Sequence, residues 1–268
     1  MLKPENFFGL EGNYLSQLFD GCEYVWEGLR NIKSFLTQNL IPNVAEVRKG
    51  SSFIARDMVI YKGNVMENGF TIDNSEGVVI RDGQKLEGAT IIYAGTYIMD
   101  DHIYIGRGTV VEPGALIKGP TIIGDYNEIR QGAYLRGNII VGNHCVVGHT
   151  TEMKTAVMLG ESKAGHFAYI GDSILGKVNL GAGTKLANLK IIDSSVVLTI
   201  EGRKYKTGLR KFGAIYGDGV ETGCNSVTSP GTLLSRNVLL YPNTTARGYY
   251  GPNSIIKNRQ VHEIKERK

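Results

Sequence analysis

The sequence has few cysteines and no long apolar run, and both absences narrow the class of protein. Cys22, Cys145 and Cys224 are odd in number and far apart along the 268 residues. Their spacing indicates neither a disulfide framework nor a zinc site, so we expect no metal. No apolar run approaches a membrane span, and the segment MLKPENFFGLEGNY lacks a basic stretch followed by an apolar one. We therefore expect a cytoplasmic protein without a membrane partner.

Charge is also scarce and nearly balanced. Charged residues make up 21% of the chain, and the formal net charge is +4. With 42% apolar residues the chain can bury a sizeable core, which excludes a disordered protein. Lysine and arginine form no long run. The excess therefore favours a small anionic ligand over a nucleic acid, although an ordinary basic-leaning surface fits equally well.

Glycine is abundant, and the aliphatic residues follow a repeat of six. The 35 glycines predict many tight turns between short strands. Large apolar side chains occupy ten consecutive positions in steps of six, namely Met99, Ile105, Val111, Ile117, Ile123, Ile129, Leu135, Val141, Val147 and Met153. A helix cannot produce this period, and simple strand alternation would not single out every third inward position. Three hexapeptides would form one coil, and coils would stack about 4.8 Å apart, which predicts a parallel β-helix.

The repeat is interrupted and later resumes. It slips by one residue at Met158, Ala164 and Ile170. Steps of six return at Tyr216, Thr222, Thr228, Leu234, Leu240 and Ala246. Residues 187–212 lie between the two blocks, and we predict that they form a loop inserted into the coil, carrying a β-hairpin that turns at Glu201-Gly202.

The N-terminal part follows another pattern. Apolar residues recur at three and four at Leu15, Leu18, Phe19, Val25, Trp26, Leu29, Ile32 and Leu36. This predicts an amphipathic pair of helices ending near Pro42, with residues 1–50 acting as a cap or a packing surface. Weaker steps of six at Ile80, Leu86 and Ile92 predict irregular first coils over residues 51–98. The regular β-helix is expected over residues 99–256, followed by a tail at 257–268.

The stretch from about residue 110 to residue 257 resembles a known family. The matching strings are AYLRG (133–137), EMK (152–154), SKAGHFAYIGD (162–172), VNLGAGTKLANLK (178–190) and KTGLRKFGAIYGDGVETGCN (206–225). They resemble the acetyltransferase domain of bifunctional N-acetylglucosamine-1-phosphate uridylyltransferases, and especially the archaeal-type sugar-1-phosphate nucleotidylyltransferases with a C-terminal left-handed β-helix. The resemblance implies an all-β fold, a left-handed parallel β-helix of hexapeptide repeats with a short N-terminal helical segment. It also implies a homotrimer with sites between subunits and acetyl-CoA as co-substrate.

The nucleotidylyltransferase domain of that family has no counterpart in the sequence. About 100 residues precede the regular coil, too few for such a domain. We therefore expect an acetyl-CoA-dependent N-acetyltransferase acting on an amino-sugar phosphate such as glucosamine-1-phosphate. The alternatives are an accessory subunit of a sugar-1-phosphate nucleotidylyltransferase whose catalytic domain is a separate chain, and a sugar-nucleotide-binding β-helix without catalysis. A carbonic-anhydrase-like β-helix would need three convergent histidines from neighbouring subunits.

Arg136 and Lys154 are 18 residues apart, so they should stack on adjacent coils. Two cations at strand spacing repel each other unless an anion lies between them. The resemblance gives this pair the phosphate of the sugar substrate, for which arginine offers a bidentate fork and lysine a point charge. The other interpretation is that both side chains extend into solvent.

The resemblance makes His166 the general base. An ammonium group must lose a proton before its nitrogen attacks a thioester, and a neutral imidazole suits this task. The flanking SKAG string and Tyr169, which the resemblance places at the sugar, set His166 apart from an ordinary structural histidine. The slipped register puts His149 one coil before His166, and we give His149 a structural role.

The resemblance also assigns the remaining site residues. It gives Asn179 a contact with the sugar and puts Ala182 and Asn188 in the acetyl-CoA channel, where backbone N–H groups can stabilise an oxyanion. Asn188 is followed by leucine, whereas bacterial bifunctional enzymes commonly have an aromatic residue there. Cys224 occupies a small-residue position near the thioester, where we expect a packed thiol and not a nucleophile. The insertion carries several cations, and among them Lys211 is our candidate for binding an anionic group.

Overall fold

The computed structural model describes residues 1–73, 75, 77–259 and 261–267. Short 3₁₀ helices span Pro4–Asn6, Tyr14–Phe19 and Val25–Glu27, and the α-helices are α1 (Gly28–Asn39) and α2 (Ala45–Arg48). The first strands are β1 (Met58–Tyr61), β2 (Asn64–Met66), β3 (Thr71–Asp73), β4 (Val78–Arg81), β5 (Gln84–Lys85), β6 (Thr90–Ile92), β7 (Tyr97–Ile98), β8 (Ile103–Ile105), β9 (Val110–Val111), β10 (Leu116–Ile117), β11 (Thr121–Ile123), β12 (Glu128–Ile129), β13 (Tyr134–Leu135), β14 (Ile139–Val141) and β15 (Val146–His149). The later strands are β16 (Glu152–Met158), β17 (Lys163–His166), β18 (Tyr169–Leu175), β19 (Asn179–Leu180), β20 (Lys185–Leu186), β21 (Val197–Ile200), β22 (Arg203–Lys206), β23 (Ala214–Tyr216), β24 (Glu221–Thr222), β25 (Val227–Thr228), β26 (Thr232–Leu234), β27 (Leu239–Leu240), β28 (Thr245–Ala246), β29 (Tyr249–Tyr250) and β30 (Ile255–Ile256).

These strands wind into a parallel β-helix of about nine turns. Face one stacks β6, β9, β12, β15, β17, β19, β24, β27 and β30. Face two stacks β7, β10, β13, the first halves of β16 and β18, then β20, β25 and β28. Face three stacks β8, β11, β14, the second halves of β16 and β18, then β23, β26 and β29. The predicted fold class is confirmed.

The predicted interior positions are buried, apart from the first. Ile105 and every following member through Met153 are at most 1% exposed, and each pairs with its equivalent one coil away. Met99, however, is 38% exposed, and Ile98 takes the interior position opposite Ile117. The prediction for Met99 is therefore wrong by one residue. This position lies at the N-terminal end of the β-helix, where no complete coil precedes it.

The slip of the register is confirmed and has a clear geometric origin. Val147 pairs with Ala164, a separation of 17 residues instead of 18. The coil is shorter by one residue at the corner between faces two and three. At this corner β16 and β18 each continue from one face to the next. Thr155 and Asp172 turn these two corners with φ of 48° and 45°, in the left-handed region. The corner is consequently tight in the two coils that carry most of the predicted site.

Between β20 and β23 the chain leaves the coil and carries a hairpin, in the region where we expected an insertion at residues 187–212. Its strands β21 and β22 pair as an antiparallel hairpin, and Glu201 and Gly202 turn it with φ of 50° and 76°. Both central residues of a tight hairpin turn of this type need positive φ, which glycine adopts without strain. The coil resumes directly, since Ile174 pairs with Ile215 across the insertion.

The N-terminal segment packs along the side of the β-helix. One α-helix is present where we expected a pair, because the first apolar cluster forms the 3₁₀ helix Tyr14–Phe19. The buried face of α1, including Ile32, shares a hydrophobic cluster with Ile140, Val157 and Ile174 on face three. This segment therefore covers face three and also contacts the insertion. The end of the coil is closed instead by Val44, Val47 and Ile54, which join the interior cluster.

Residues 58–87 do not form the irregular coils that we expected. Strands β1 and β2 form an antiparallel hairpin, and β3, β4 and β5 form a separate antiparallel sheet. Ile80 lies in β4, so its step of six is not a coil position, and the parallel stacking begins with β6 and β7. In the part of the chain that the structure describes, no helix combines the length and apolar character that crossing a bilayer requires.

Candidate active site

Two columns of outward-facing residues border face two. The corner between faces one and two carries the residue two positions after each interior aliphatic side chain, namely His149, His166, Ala182 and Cys224. The corner between faces two and three carries the residue that directly follows each interior side chain of face two. These residues are Lys118, Arg136, Lys154, Gly171, Ala187, Ser229 and Arg247. We call these the histidine column and the cation column. They lie on opposite edges of the same narrow face.

Arg136 and Lys154 stack as the spacing predicts, but Arg136 already has a partner. The register pairs Leu135 with Met153, which places the two cations on adjacent coils. Glu152 accepts a hydrogen bond of 2.6 Å from Nη1 of Arg136, and this bond raises the pKa of Arg136 above its usual value. Arg136 is therefore paired with a carboxylate of the protein itself. The two cations do not depend on an external anion in the way that their spacing suggested.

Lys211 reaches the same corner from the base of the insertion, where residues 188–189 lie beside residues 211–212. We call these four residues the neck of the insertion. The chain leaves the coil at Asn188 and returns at Phe212, whose N–H donates to the Asn188 carbonyl at 2.9 Å. One residue further out, Leu189 and Lys211 form an antiparallel bridge. The Lys211 ammonium lies close enough to Lys154 to lower the pKa of Lys154, and burial acts in the same direction. The site thus gathers three cations from three separate segments of the sequence.

Asp172 lies beneath these lysines and binds Asn188. The Asn188 amide donates from Nδ2 to Oδ2 of Asp172 at 2.5 Å, and Asn188 itself is only 9% exposed. Burial raises the pKa of Asp172, while the Asn188 bond and the charges of Lys154 and Lys211 act in the opposite direction. The Tyr169 hydroxyl also interacts with Asn188, and burial raises the pKa of Tyr169. Asn188 therefore lies with the cations, on the other edge of face two from Ala182 and Cys224.

The histidine column brings His166 and His149 together. They are paired across β15 and β17, as the slipped register predicts. The Phe167 ring contacts the His149 ring edge-on, with centroids 5.3 Å apart. Nδ1 of His149 lies 2.9 Å from the carbonyl oxygen of Gln131 and must donate to it, which fixes its tautomer and supports a structural role. His166 is exposed at the edge of face two and open to a ligand.

Ala182 and Cys224 continue the histidine column toward the C-terminus. Gly183 donates its N–H to the His166 carbonyl at 3.0 Å, which places Ala182 one coil beyond His166. Asn225 donates in the same way to Ala182 at 2.8 Å, which places Cys224 next. Cys224 is exposed in the single chain, so our expectation of a packed thiol was wrong there. Asn179 lies on face one, between Lys163 and Glu221 of the neighbouring coils.

A separate cavity of about 670 Å³ lies further along the cation column. Its lining includes Ala187, Ser229 and Arg247 of the column and the apolar residues Leu189 and Ile192 of the insertion. The cavity therefore has partly apolar walls, and its lining includes two cations, Lys190 and Arg247. Among the described residues, no group of three or more histidine, cysteine or acidic side chains is arranged to hold a metal ion.

Sequence reasoning missed the two carboxylates of the site. Glu152 stands two residues before Lys154, and alternate residues of a strand point to the same side. That alternation was the available signal for Glu152. Asp172 stands at the end of the SKAGHFAYIGD string, but its contact with Asn188 depends on the tight corner in β18. Three cations and two carboxylates leave the cluster with one excess positive charge.

No protein-family model matches the chain. Curated relatives include the bifunctional sugar-1-phosphate nucleotidylyltransferase/acetyltransferase of Sulfurisphaera tokodaii, which is 33% identical over 186 residues, 62% of this chain and 46% of the relative. The bifunctional protein GlmU of Methanococcus vannielii is 35% identical over 136 residues, 50% of this chain and 33% of the relative. The GlmU protein of a Cyanothece species is 29% identical over 218 residues, 75% of this chain and 44% of the relative. The chain thus spans less than half the length of these relatives.

Solved structures give a weaker likeness. A hexapeptide transferase family protein from Anaplasma phagocytophilum matches with a TM-score of 0.31 and 16% identity, over 60% of this chain and 75% of that protein. A perosamine N-acetyltransferase mutant from Caulobacter crescentus, in complex with CoA and GDP-perosamine, matches with a TM-score of 0.25 and 17% identity, over 59% of this chain and 53% of that protein. These scores are too low to support an argument about function. By its sequence, the chain is similar to the C-terminal part of the bifunctional sugar-1-phosphate nucleotidylyltransferase/acetyltransferases.

Proposed function

We propose that the protein is an N-acetyltransferase that transfers the acetyl group of acetyl-CoA to the amine of an amino-sugar phosphate such as glucosamine-1-phosphate. The observation that carries this proposal is the arrangement of face two. An exposed histidine lies on one edge, a cluster with excess positive charge lies on the other, and Tyr169 stands between them. This arrangement suits a small acceptor that has an amine at one end and a phosphate at the other. The name of the Sulfurisphaera tokodaii relative includes the acetyl-transfer activity.

In the proposed reaction, His166 acts as the general base. Its neutral imidazole accepts a proton from the ammonium group of the acceptor, which leaves a nucleophilic amine. The amine nitrogen attacks the thioester carbonyl and forms a C–N bond, and the electron pair moves to the carbonyl oxygen. The backbone N–H of Ala182 itself would stabilise that oxyanion, because the N–H groups of Gly181 and Gly183 already donate to carbonyl oxygens of neighbouring coils. The carbonyl re-forms as the C–S bond breaks. The His166 imidazolium gives the first proton to the CoA thiolate, then accepts the second proton of the nitrogen and releases it to solvent.

The phosphate would bind at Arg136, Lys154 and Lys211. Charge-assisted hydrogen bonds from these groups provide most of the affinity, since each contributes about 1.5–3 kcal/mol. Arg136 must be released from Glu152, or must use its remaining N–H groups, before it can form a bidentate contact. Tyr169 and Asn179 would contact the sugar. The cost of releasing Arg136 makes Lys154 and Lys211 the first contacts for the incoming anion.

The assembly that we propose is a homotrimer in the cytoplasm. In the single chain both columns are open to solvent, whereas acetyl transfer competes with hydrolysis of the thioester unless water is excluded. A neighbouring copy packed against face one or face two would cover the reacting groups, and a closed threefold ring would give every copy the same surroundings. Face three is not available for such packing, because the N-terminal segment already covers it.

A thiol-release assay tests the proposal directly. The purified protein is mixed with acetyl-CoA and a panel of amines, namely glucosamine, glucosamine-1-phosphate, glucosamine-6-phosphate and galactosamine-1-phosphate, and free CoA thiol is measured. We expect turnover with a 1-phosphate and at least a tenfold lower kcat/KM with free glucosamine, the loss of one charge-assisted contact. Absence of thiol release with every amino-sugar phosphate would reject the proposal.

The position of acetyl-CoA can be tested with two bulky substitutions. We place acetyl-CoA along the histidine column, beside Ala182 and Cys224, because the thioester must reach His166. Asn188, which lies on the other edge of face two and binds Asp172, is no part of this placement. Cys224→Trp should then raise the KM for acetyl-CoA by at least tenfold. Ser229→Trp is the matched variant, since it fills the cavity beside the cation column. A rise in KM only for Ser229→Trp would move the co-substrate to that cavity.

A second candidate function follows from the relatives, whose names combine two activities. The chain could serve as a sugar-nucleotide-binding or accessory subunit of a sugar-1-phosphate nucleotidylyltransferase carried by a separate chain. This candidate predicts binding of a nucleotide sugar in the absence of acetyl transfer. Calorimetric titration with UDP-N-acetylglucosamine, next to the thiol-release assay, separates the two functions.

A further inference from the structure

Asp172 is a half-buried carboxylate to which the proposed reaction gives no role. It turns a corner of the coil within β18, with φ of 45°. A non-glycine residue in this left-handed conformation is strained, and it persists only where its surroundings hold it. Two contacts do so. The Asp172 carbonyl accepts a hydrogen bond from the Gly213 N–H at 2.8 Å, and its carboxylate accepts one from Asn188 at 2.5 Å.

These contacts join both ends of the insertion to one residue. Asn188 is where the chain leaves the coil, and Gly213 is where the chain has returned to it. Lys211 lies two residues before Gly213 and is bridged to Leu189. The position of the Lys211 side chain therefore depends on a neck that Asp172 anchors from below.

Asp172 also affects the charge of the anion site. The charged and titratable groups around Lys154 come from the corner after β13, from β16 itself, from β18 and from the insertion. They are Arg136, Glu152, Tyr169, Asp172 and Lys211. Lys211 and Arg136 lower the pKa of Lys154, whereas Asp172 raises it. Glu152 is engaged with Arg136. Asp172 is thus the carboxylate that favours the charged form of Lys154.

We propose that Asp172 is a positioning residue of the anion site, which fixes Asn188 and the neck of the insertion and so holds Lys211 beside a charged Lys154. The proposal rests on the proposed function, because it concerns the site assigned to the acceptor phosphate. Asp172 acts through its neighbours and does not touch the acceptor. Its charge and its hydrogen bond make separate contributions, so two substitutions can separate them.

The test measures binding of inorganic phosphate to the full chain by calorimetry, from about pH 6 to pH 10, the range in which a lysine with a lowered pKa loses its charge. Asp172→Asn removes the charge but keeps an oxygen that can accept from Asn188. Asp172→Ala removes both. Glu161→Gln is the control, since it deletes an exposed carboxylate that pairs with Lys177 and lies outside the site.

We expect Asp172→Asn to lose phosphate affinity at a lower pH than the wild type, because Lys154 gives up its proton earlier without the neighbouring carboxylate. In the interval where Lys154 is neutral only in the variant, the phosphate Kd should be about tenfold weaker, the loss of one charge-assisted bond. Asp172→Ala should bind about tenfold more weakly even at neutral pH, because the neck is also released. Glu161→Gln should follow the wild-type curve.

The outcomes separate this role from the proposed function. If the pH curve of Asp172→Asn superimposes on that of the wild type, the positioning role is wrong, even if Asp172→Ala fails to fold. If the curve shifts as expected but the wild type transfers no acetyl group, the role stands and the acetyltransferase is rejected. If the wild type binds no phosphate, both are rejected.

Discussion

Lys211→Met tests how strongly the insertion controls the anion site. The substitution removes the ammonium beside Lys154 but keeps an unbranched side chain, so the neck of the insertion should remain intact. One charge-assisted bond to the acceptor phosphate is lost, which contributes about 1.5–3 kcal/mol and corresponds to roughly a tenfold to hundredfold rise in KM for glucosamine-1-phosphate. The pKa of Lys154 should rise at the same time, because Lys211 is the main cause of its lowering.

The pH dependence gives the decisive measurement. Below its lowered pKa, Lys154 is charged and binds the phosphate, and as pH rises through that pKa the contact is lost. In Lys211→Met this loss should move to higher pH, opposite to the shift expected for Asp172→Asn. The assay is the KM for glucosamine-1-phosphate across alkaline pH, with Lys190→Met of the same insertion as the control. A variant with an unchanged KM, or with the wild-type pH profile, would show that Lys211 and Lys154 do not act together.

Four further results are expected. His166→Ala should lower kcat by about 10²–10⁴ with an unchanged circular dichroism spectrum, whereas His149→Ala should retain activity; near wild-type transfer by the first variant would assign the base elsewhere. Arg136→Ala and Lys154→Ala should each weaken binding of glucosamine-1-phosphate about tenfold to a hundredfold and leave acetyl-CoA affinity unchanged, whereas equal loss of both ligands would indicate a structural defect. Ile140→Ala, fully buried beneath α1, should cost about 2–5 kcal/mol in urea unfolding, and a smaller loss would mean that α1 packs loosely. Light scattering at micromolar concentration should give the mass of a trimer, and a monomer would exclude a shared site.

The regular part of the fold was predictable because its information is local. Each hexapeptide from Ile105 to Met153 places a large aliphatic residue at the same inward position. The period alone therefore predicts the fold and the stacking of Arg136 on Lys154. The prediction failed at Met99, where the preceding coil is replaced by the cap. Phe53 bridges Tyr97 there, and this long-range contact determines that Ile98 faces inward.

The position of the N-terminal helix was less predictable for a physical reason. An amphipathic pattern shows that a helix has an apolar face, but it does not identify the surface that the face covers. The outward side of face three supplies that surface through Ile140, Val157 and Ile174. These residues alternate with the interior positions, so their apolar character was visible in the sequence. What the sequence could not show was that α1, and no second copy, would cover them.

The site was predictable in its spacing and not in its electrostatics. Coil length placed His149 beside His166 and Arg136 beside Lys154. The salt bridge to Glu152 and the bond between Asp172 and Asn188 depend on side-chain directions at a tight corner, which spacing does not determine. The contact between Lys211 and Lys154 depends on the closure of the insertion over more than twenty residues.

The cation column is interrupted at Gly171. A Cβ atom at Gly171 would lie 2.7 Å from Nδ2 of Asn188 and from the Tyr169 hydroxyl oxygen, so a larger residue there would displace both groups. In the other direction the column continues to Lys118, whose ammonium lies over the Tyr134 ring at 5.4 Å, and Arg136 lies near the same ring at 5.8 Å. Each coil adds about 4.8 Å. An acceptor with a longer anionic tail would therefore meet the next cation of the column, Lys118, one coil beyond Arg136 toward the N-terminal end.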